Sequence, residues 1–511
     1  YVALATVVLV AHLLPGKVQM TFALVLSLLL LQLPTRQAQL PPELLQLTRY
    51  QVHNAVSRSA VCNDGTPAVY YFRDCPRPGQ ECQINPGGDQ WVIVFEGGES
   101  SSVCFDTASC AARAARHPSL TSSKQAPSSF SHSSLEGIFS DSGEGNPNFY
   151  EQRIVWVPYC SSDMWLGDST RTNTNTNTSI TFRGRRIVKA VVEDLLSTTF
   201  TKHSVPTPYG PGPNMTSILN AARVVIVGNA GVVRWLDDIA EQIVAASNTA
   251  DVRVLGICDG CVIASDVRPF VSTKKVPCDP LEASTCPPTY LLEQYADAPT
   301  WWNFQYPPDH GRPHDYTSLL SASLLSSTKT PLMVQHPQFD RQQLKQLRCC
   351  GDTWPPAAGT VEEKYALSFA QSIRDTMEKQ YTNTGMFTFA PACSGNPPSS
   401  LSTNDTLENV VASGLLSPNP FFCTPINDCV LLGENGTETS VSFAAVTSMF
   451  LNVPQAQFEH GALSSASVLI ATRTVTLPSV FGCEPGSEHL GKQWQNSFLN
   501  DFLKFVQHIN V

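Results

Sequence analysis

The residues best placed for catalysis surround a glycine-rich turn, Gly228–Gly231. The turn follows the apolar run Arg223–Val227 and precedes Val232–Ala246, whose apolar residues have helical spacing. A strand, a tight turn and a helix in this order are typical of the nucleophile elbow Gly-x-Ser-x-Gly, which presents a serine on a strained turn. This turn has the sequence Gly-Asn-Ala-Gly, so it is one residue shorter and lacks the serine. Asn229 can donate a hydrogen bond, but it cannot form an acyl intermediate.

A second pair of glycines, Gly97 and Gly98, follows the apolar run Trp91–Phe95. Glycines directly after a buried strand let the backbone approach a ligand and present amide N–H groups, which an oxyanion hole requires. An ordinary strand-to-loop turn has the same composition, and on the residues alone this alternative stays open.

Hydroxyl groups follow another apolar run. Ser161 and Ser162 lie in the polar segment Pro158–Asp163, directly after Ile154–Val157. They are candidate pocket hydroxyls, with no base assigned to them by spacing. The same segment could equally serve to satisfy the hydrogen bonds of its own loop.

Two histidines are candidates for a base. His336 follows the apolar run Pro331–Val334 and has Asp340 nearby, and His460 lies in a late loop. A lone loop histidine is more often a solvated or hydrogen-bonded side chain than a general base. We therefore expect neither to act as one.

Short apolar runs alternate with helical patterns along the chain. The runs that end at residues 95, 157, 227, 257 and 334 are apolar on both faces, as in buried parallel strands. Helical spacing occurs in Arg183–Ser197, Val232–Ala246 and Glu362–Lys379. This alternation predicts an α/β fold with a mostly parallel sheet covered by helices on both faces. The polar segments above should then meet at the carboxyl ends of the strands.

The composition limits the class of protein. The chain has 511 residues, of which 42% are hydrophobic and 15% charged, enough for a sizeable core. A net charge of −10 argues against nucleic acid or an anionic membrane as the main partner.

The N-terminal region indicates export. Met20–Leu33 is a short apolar core, and Pro34–Ala38 supplies the small or polar residues that follow the core of a secretory signal peptide. A membrane anchor is the alternative, because Tyr1–Leu14 is also apolar. Pro15–Lys17 interrupts the two runs, and neither reaches the roughly 18–20 residues of a spanning helix. We therefore predict a secreted protein without a transmembrane anchor.

These features define two regions. Residues 1–38 are the predicted signal region, with translation expected to start at Met20, and residues 39–511 form one predicted α/β domain with disulfide-tied loop insertions. The chain has sixteen cysteines, which suit disulfides in an oxidising compartment. The short Cys258–Cys261 pair lacks a second pair, so a zinc site is not expected. N-glycosylation sequons occur in polar segments at Asn177, Asn214, Asn404 and Asn435.

Taken in chain order, several of these segments resemble the pectin acetylesterase family, which includes the Notum carboxylesterases. The matching positions are Phe95–Gly98, Cys104, Cys110, Asn146, Pro147, Pro158–Asp163, Trp165, Phe182–Gly184 and Gly228. The resemblance covers residues 55–400 and is strongest at Pro158–Trp165. It implies an α/β-hydrolase-like fold, a Ser–Asp–His triad, a disulfide between Cys104 and Cys110, and no metal or cofactor.

The resemblance also implies roles for individual residues. The family acid corresponds to Asp259, and the family serine would stand between Asn229 and Ala230. The family histidine lies three residues after a cysteine that resembles Cys393, and this position holds Asn396. The oxyanion donors would come from three residues: Gly97, Gly98 and Ala230.

The departures from the family pattern predict impaired catalysis. A serine hydroxyl attacks only with a neighbouring base, and Asn396 has no basic lone pair. Glu99, directly after the glycine pair, would place a negative charge where an oxyanion must develop.

Three hypotheses follow. The first is a functional esterase, acting on an acylated polysaccharide or protein, whose sequence is corrupted at mis-spliced exon boundaries. The second is a non-catalytic secreted protein that binds a glycan, an acylated ligand or a partner protein. Under the third, the protein is structural and retains only the scaffold. Transcript sequence across the codons for Gly228–Gly231 separates the first from the others.

Overall fold

The structure, a computed structural model, describes residues 46–74, 83–84, 88–97, 103–104, 106–130, 137–139, 148–173, 178–201, 215–264, 267, 270, 328–336, 339–350, 356, 359–381, 387–390, 430–432, 438–440, 451 and 469–471. These residues belong to the compact unit Pro42–Val511. The helix that the sequence suggests near residues 494–509 lies outside the described residues.

The described strands are β1 (Leu47–Gln51), β2 (Val69–Arg73), β3 (Gln83–Ile84), β4 (Gly88–Phe95), β5 (Ser129–Phe130), β6 (Arg153–Val157), β7 (Ser169–Asn173), β8 (Thr178–Phe182), β9 (Phe200–Thr201), β10 (Met215–Thr216), β11 (Arg223–Gly228), β12 (Arg253–Asp259), β13 (Leu332–Gln335), β14 (Phe387–Ala390), β15 (Val430–Leu432), β16 (Glu438–Ser440) and β17 (Leu469–Ala471).

The described α-helices are α1 (Thr107–Arg116), α2 (Gly184–Ser197), α3 (Ala230–Val233), α4 (Leu236–Ala246), α5 (Arg341–Gln346) and α6 (Val361–Tyr381). Short 3-10 helices occur at Pro118–Leu120, Gly137–Phe139 and Ile218–Asn220.

One large sheet dominates the described part of the chain. Its strand order is β17-β14-β13-β12-β11-β4-β6-β2-β1-β5, and β3 pairs with β4 beside this path. The central run from β17 to β6 is parallel throughout, whereas β2, β1 and β5 continue it in antiparallel orientation. The predicted mostly parallel α/β fold is confirmed.

The sheet is covered on both faces. Consecutive residues of β4, β6 and β11 are buried, including Trp91–Phe95 and all of β6 and β11. Because successive side chains of a strand point to opposite faces, burial of every residue requires cover on both. Burial on both faces therefore explains why these strands are continuously apolar in the sequence.

The direction of winding reverses beside β4. From β4 the chain goes to β6 on one side, and then crosses to β11, β12 and β13 on the other. In open α/β sheets, ligands bind in the crevice outside the carboxyl ends of the strands at such a switch point. Here that point lies between Gly97, just after β4, and Asn229, just after β11.

Two elements differ from the sequence expectation. The predicted helix Val232–Ala246 is divided into α3 and α4, and Trp235 at the break donates its indole N–H to Trp165 O at 2.9 Å. Strand β12 runs two residues further than expected, so Asp259 ends the strand and pairs in register with Gln335 of β13.

Candidate active site

Asn229 ties the elbow turn to the end of β4. Its side-chain Nδ2 donates to Gly97 O, and its Oδ1 accepts a hydrogen bond from Gly231 N at 3.0 Å. Its backbone oxygen accepts from Val232 N and Val233 N, both at 3.0 Å. Asn229 is 5% exposed, so it is a buried cross-link between the two strand ends at the switch point.

The glycines of the elbow are required by close packing. A Cβ on Gly231 would collide with the backbone carbonyl of Met164, and one on Gly228 would lie 2.7–2.9 Å from the side chain of Val232. Gly97 has φ +57°, and a Cβ there would lie 3.3 Å from Tyr159. The turn therefore sits directly on the segment that follows β6.

That segment has a strained backbone. Ser162, Met164 and Trp165 have φ of +50°, +56° and +64°, values that non-glycine residues rarely adopt. Strain of this kind persists only where the surroundings fix it, and it clusters at functional sites. Met164 N donates a hydrogen bond to Tyr159 Oη at 2.8 Å, and the Trp165 indole N–H donates to Glu96 O at 3.1 Å.

Asp163 organises the strained segment from inside. Its Oδ1 accepts from Ser161 Oγ at 2.6 Å and from Trp165 N at 3.1 Å. Its Oδ2 accepts from Gly167 N at 3.2 Å and from Gly184 N, at the start of α2, at 2.8 Å. Burial raises the pKa of Asp163 to about 7, although these four hydrogen bonds favour the carboxylate.

The hydroxyls of Ser161 and Ser162 both have buried partners. Ser161 donates to Asp163, and Ser162 Oγ accepts a hydrogen bond from Arg113 Nε of α1 at 3.0 Å. Both serines are fully buried. The segment thus satisfies its own hydrogen bonds, which is the alternative that the sequence left open.

Glu96 is a second buried carboxyl at this edge. It directly follows β4, is 7% exposed, and its Oε2 accepts one long hydrogen bond from Tyr159 N at 3.4 Å. Burial raises the pKa of Glu96 to about 8, so at neutral pH the side chain is mostly protonated.

The neighbouring strand ends bring two further candidates to the same edge. Asp259 ends β12 and His336 directly follows β13, and the pairing of Asp259 with Gln335 makes the two candidates neighbours along the backbone. His336 is 1% exposed, so of the two alternatives that the sequence offered, a solvated or a hydrogen-bonded side chain, the structure shows the second.

His336 belongs to a polar cluster built on α5. Its Nε2 lies 3.5 Å from Asp340 Oδ2 and 3.2 Å from Gln343 Nε2. Burial lowers the pKa of His336, and the Asp340 carboxylate opposes this. The imidazole is therefore neutral.

The hydrogen bonds of Gln343 fix the tautomer of His336. Gln343 Oε1 accepts from Ala264 N at 3.1 Å, and its amide donates to Val262 O at 2.7 Å and to Asp340 Oδ2 at 2.9 Å. An amide has two protons, and Val262 O and Asp340 Oδ2 accept both of them. Gln343 therefore has no proton left to donate to His336 Nε2. We infer that His336 Nε2 carries a proton of its own, which faces Asp340 Oδ2. His336 Nδ1 then holds the lone pair, and it has no hydrogen-bond partner among the described residues.

Several predicted site residues lie outside the described residues. They are Gly98, Glu99, Asn396, His460 and the sequon positions Asn177, Asn214, Asn404 and Asn435. The structure thus brings together Gly97, Asn229, Ala230 and the backbone of Asp259, and the catalytic roles assigned to all the site residues stay predictions.

Four disulfides join described cysteines. They are Cys62–Cys160, Cys104–Cys110, Cys258–Cys261 and Cys349–Cys350. The first joins the segment after β6 to the segment before β2, and the second joins Cys104 to Cys110 inside α1, whose Arg113 reaches the segment after β6. Among the described residues, no helix has the length and apolar character needed to cross a bilayer.

Comparisons with known proteins find sequences similar to this chain. Residues 42–205 match the family model described as Pectinacetylesterase. The chain is 26% identical to "Palmitoleoyl-protein carboxylesterase notum1a" of Danio rerio over 67% of this chain and 59% of that protein. It is also 26% identical to "Palmitoleoyl-protein carboxylesterase NOTUM" of Homo sapiens, over 67% of this chain and 60% of that protein.

This chain is similar to the pectinacetylesterase family over residues 42–205 and to Notum carboxylesterases over two thirds of its length. It spans about three fifths of the length of the curated Notum proteins it matches. A crystal structure of the Wnt deacylase Notum from Drosophila matches with a TM-score of 0.48 at 24% identity, covering 68% of this chain and 84% of that one.

Sequence reasoning missed four parts of the candidate site. They are the hydrogen bonds of Asp163, the cross-link made by Asn229, the buried carboxyl of Glu96 and the hydrogen-bonded cluster around His336. For Asp163 a signal existed, since it lies in the segment where the family resemblance is strongest. The others depend on contacts between distant parts of the chain, which leave no local pattern.

Proposed function

We propose that this chain is a secreted carboxylic-ester hydrolase-family protein whose serine-dependent catalysis is impaired. Its Notum relatives carry the name palmitoleoyl-protein carboxylesterase, and its family model the name Pectinacetylesterase. The corresponding substrate class for this chain is an acyl ester on a protein or a polysaccharide.

The main support for impaired catalysis comes from the position and hydrogen bonds of Asn229. It occupies the turn where an elbow presents its nucleophile, and both ends of its amide are committed, to Gly97 O and to Gly231 N. An amide has no nucleophilic hydroxyl and forms no acyl intermediate. The two hydrogen bonds of Asn229, the residue next to the position of the missing serine, thus fix the conformation of the short turn.

The two serine hydroxyls of the segment after β6 are already hydrogen-bonded to other groups. Ser161 donates its proton to the buried Asp163, and Ser162 accepts from Arg113. Activation requires a base within hydrogen-bond reach of the hydroxyl. Asp163 accepts three backbone N–H groups besides the Ser161 hydroxyl, which commits it to the loop and to the start of α2.

We also propose roles for the other residues that the family resemblance assigns. Gly97, Gly98 and Ala230 would supply oxyanion N–H groups, and Asp259 would orient the family histidine, whose position holds Asn396. The location of Gly97 and Asn229 at the switch point supports this set, because ligands bind there in parallel α/β sheets.

Secretion is part of the proposal. The disulfides Cys62–Cys160 and Cys104–Cys110 support it, since such bonds persist in oxidising compartments. The sequons and the apolar core Met20–Leu33 support it from the sequence.

A serine-reactive probe tests the impairment. We expect the purified, glycosylated protein not to react with a fluorophosphonate, because the elbow has no hydroxyl and loss of triad members typically costs about 10⁴–10⁶ in kcat. A catalytically active pectinacetylesterase or Notum protein serves as the labelled control. Robust labelling of the unmodified chain would overturn the proposal and point to Ser161, Ser162 or another hydroxyl.

A further inference from the structure

Two arginines lie side by side at the edge of the sheet opposite the candidate active site. Arg223 begins β11 and Arg253 begins β12, and the two are direct partners in the parallel register. Neighbouring strands lie about 4.8 Å apart. The two side chains therefore start from adjacent points at the amino ends of the central strands.

Arg223 is buried without a described counter-charge. It is 7% exposed, and its Nη1 donates to the neutral Gln90 Oε1 at 3.2 Å. Its Nε is buried and has no hydrogen-bond partner among the described residues. Burial, with repulsion from Arg253, lowers the pKa of Arg223 to about 10.

A nearby arginine shows how the fold satisfies a similar charge. Arg153 begins β6, two strands from β11, and its guanidinium contacts Asp74 at 2.7 Å as well as Asp89. Removing a cation from water is strongly unfavourable unless an anion and hydrogen bonds compensate. At Arg153 carboxylates of the chain supply that compensation, and at Arg223 the described residues supply one neutral oxygen.

We propose that Arg223 and Arg253 bind a tetrahedral oxyanion, phosphate or sulfate, at the amino ends of β11 and β12. The unpartnered Nε of Arg223 supplies a directed donor from the buried side. Arg253 is partly exposed, so it adds charge on the side that is open to solvent. Its Nη1 also donates to Leu451 O at 3.2 Å, which fixes its position beside Arg223.

We infer a tetrahedral rather than a planar anion because the two guanidinium groups would contact it from two directions. One planar carboxylate is satisfied by one guanidinium in a paired, two-bond geometry. Two guanidinium groups from adjacent strands instead offer donors to oxygens that lie in different planes. The inference does not depend on the proposed esterase relationship, because it concerns the opposite edge of the sheet.

Thermal unfolding of the full chain with Arg223→Gln tests the site. We expect phosphate and sulfate to raise the Tm of the unmodified protein more than acetate at equal ionic strength, increasing with concentration as ligand linkage requires. Arg223→Gln should abolish this difference. In acetate alone the variant should unfold at an equal or higher temperature, because glutamine removes the buried charge.

Arg186→Gln is the matched control, since Arg186 pairs with Asp168 at the surface and is 47% exposed. It should keep the phosphate response. General stabilisation by excluded sulfate would appear in all three proteins and cancels in the comparison. An equal phosphate response in the unmodified protein and Arg223→Gln overturns the proposal, as does an equal effect of acetate.

Calorimetry covers the case in which Arg223→Gln does not fold. Titration of inorganic phosphate into the unmodified protein should give saturable binding, weakened at least tenfold in Arg253→Gln. Absence of binding heat in the unmodified protein at several temperatures overturns the site.

Discussion

At the scale of single residues, the candidate site holds two buried carboxyls in different environments. Asp163 accepts four hydrogen bonds, whereas Glu96 Oε2 accepts one long bond from Tyr159 N. Burial nevertheless raises the pKa of both, to about 7 and about 8. Glu96 is therefore the clearer case of a carboxyl held in its neutral form, and its titration should affect stability.

The sign of that effect follows from proton linkage. The pKa of Glu96 is 4.5 in its ordinary state and about 8 in the folded protein. Between these values the folded state binds more protons than the unfolded state, so this contribution to the free energy of unfolding falls as pH rises. The loss begins near pH 4.5 and is complete above pH 8.

Glu96→Gln should therefore stabilise the protein relative to the unmodified chain at pH 9 but not at pH 4.5. Glutamine cannot ionise and has nearly the same shape. Urea unfolding at pH 4.5, 7 and 9 measures the difference. Glu193→Gln, at a side chain that is 43% exposed, is the control and should show little pH dependence. A stability difference for Glu96→Gln that is the same at all three pH values would contradict a raised pKa.

At the scale of elements, one side chain links the two strands that flank the switch point. Asn229 connects the turn after β11 to Gly97 after β4, and Gly231 packs on the Met164 carbonyl after β6. The ends of three neighbouring strands are thereby joined through the elbow. The shortened turn is an integral part of this packing.

Asn229→Ala should lower the free energy of unfolding by about 1–3 kcal/mol, because it leaves the partly buried Gly97 carbonyl and the buried Gly231 amide without their partner. Chemical denaturation monitored by tryptophan fluorescence gives the value. Asn248→Ala is the control: its side chain donates to the Asn220 side chain at an exposed position, so its effect should stay within about 0.5 kcal/mol. Equal effects of the two substitutions would mean that the Asn229 bonds carry no stability.

The same scale explains how much the sequence could predict. Strands β4, β6 and β11 were predictable because burial on both faces produces continuous apolar runs. The division between α3 and α4 was not, since Val232–Ala246 is amphipathic throughout and the break coincides with a contact of Trp235 to the distant Trp165. The partner of Asn229, 132 positions away, likewise has no local signature.

Histidine environment was equally unpredictable. The sequence placed His336 correctly at a strand end, but only the packing of Gln343 and Asp340 shows that it is buried and neutral. Positive φ at Ser162, Met164 and Trp165 also has no signal in residue type, because no glycine stands there. Where tertiary contacts determine the conformation of a residue, residue propensity and sequence periodicity do not predict that conformation.

At the scale of the whole molecule, a mostly parallel sheet is combined with disulfides that tie its loops. Cys62–Cys160 closes 98 positions of chain and joins the region before β2 to the strained segment after β6. Each native bridge typically contributes ~2–4 kcal/mol. Stability should therefore depend on an oxidising environment.

Expression in a secretory cell should yield a mature protein that begins beyond about residue 34 and that shifts to lower mass on enzymatic deglycosylation. Most cysteines should be oxidised, and reduction should destabilise the fold by several kcal/mol. Thiol counting under denaturing, non-reducing conditions measures the first property. Cytosolic, unglycosylated material with all sixteen cysteines as free thiols would contradict export.

The central claim, that catalysis fails because the nucleophile and the base are both missing, is tested most directly by the rate of p-nitrophenyl ester hydrolysis in four proteins. These are the unmodified chain, one with serine inserted between Asn229 and Ala230, Asn396→His, and the combination. We predict measurable hydrolysis only in the combination, since a serine needs a base to attack. Turnover by the unmodified chain, matching or exceeding that of the combination, would contradict the claim.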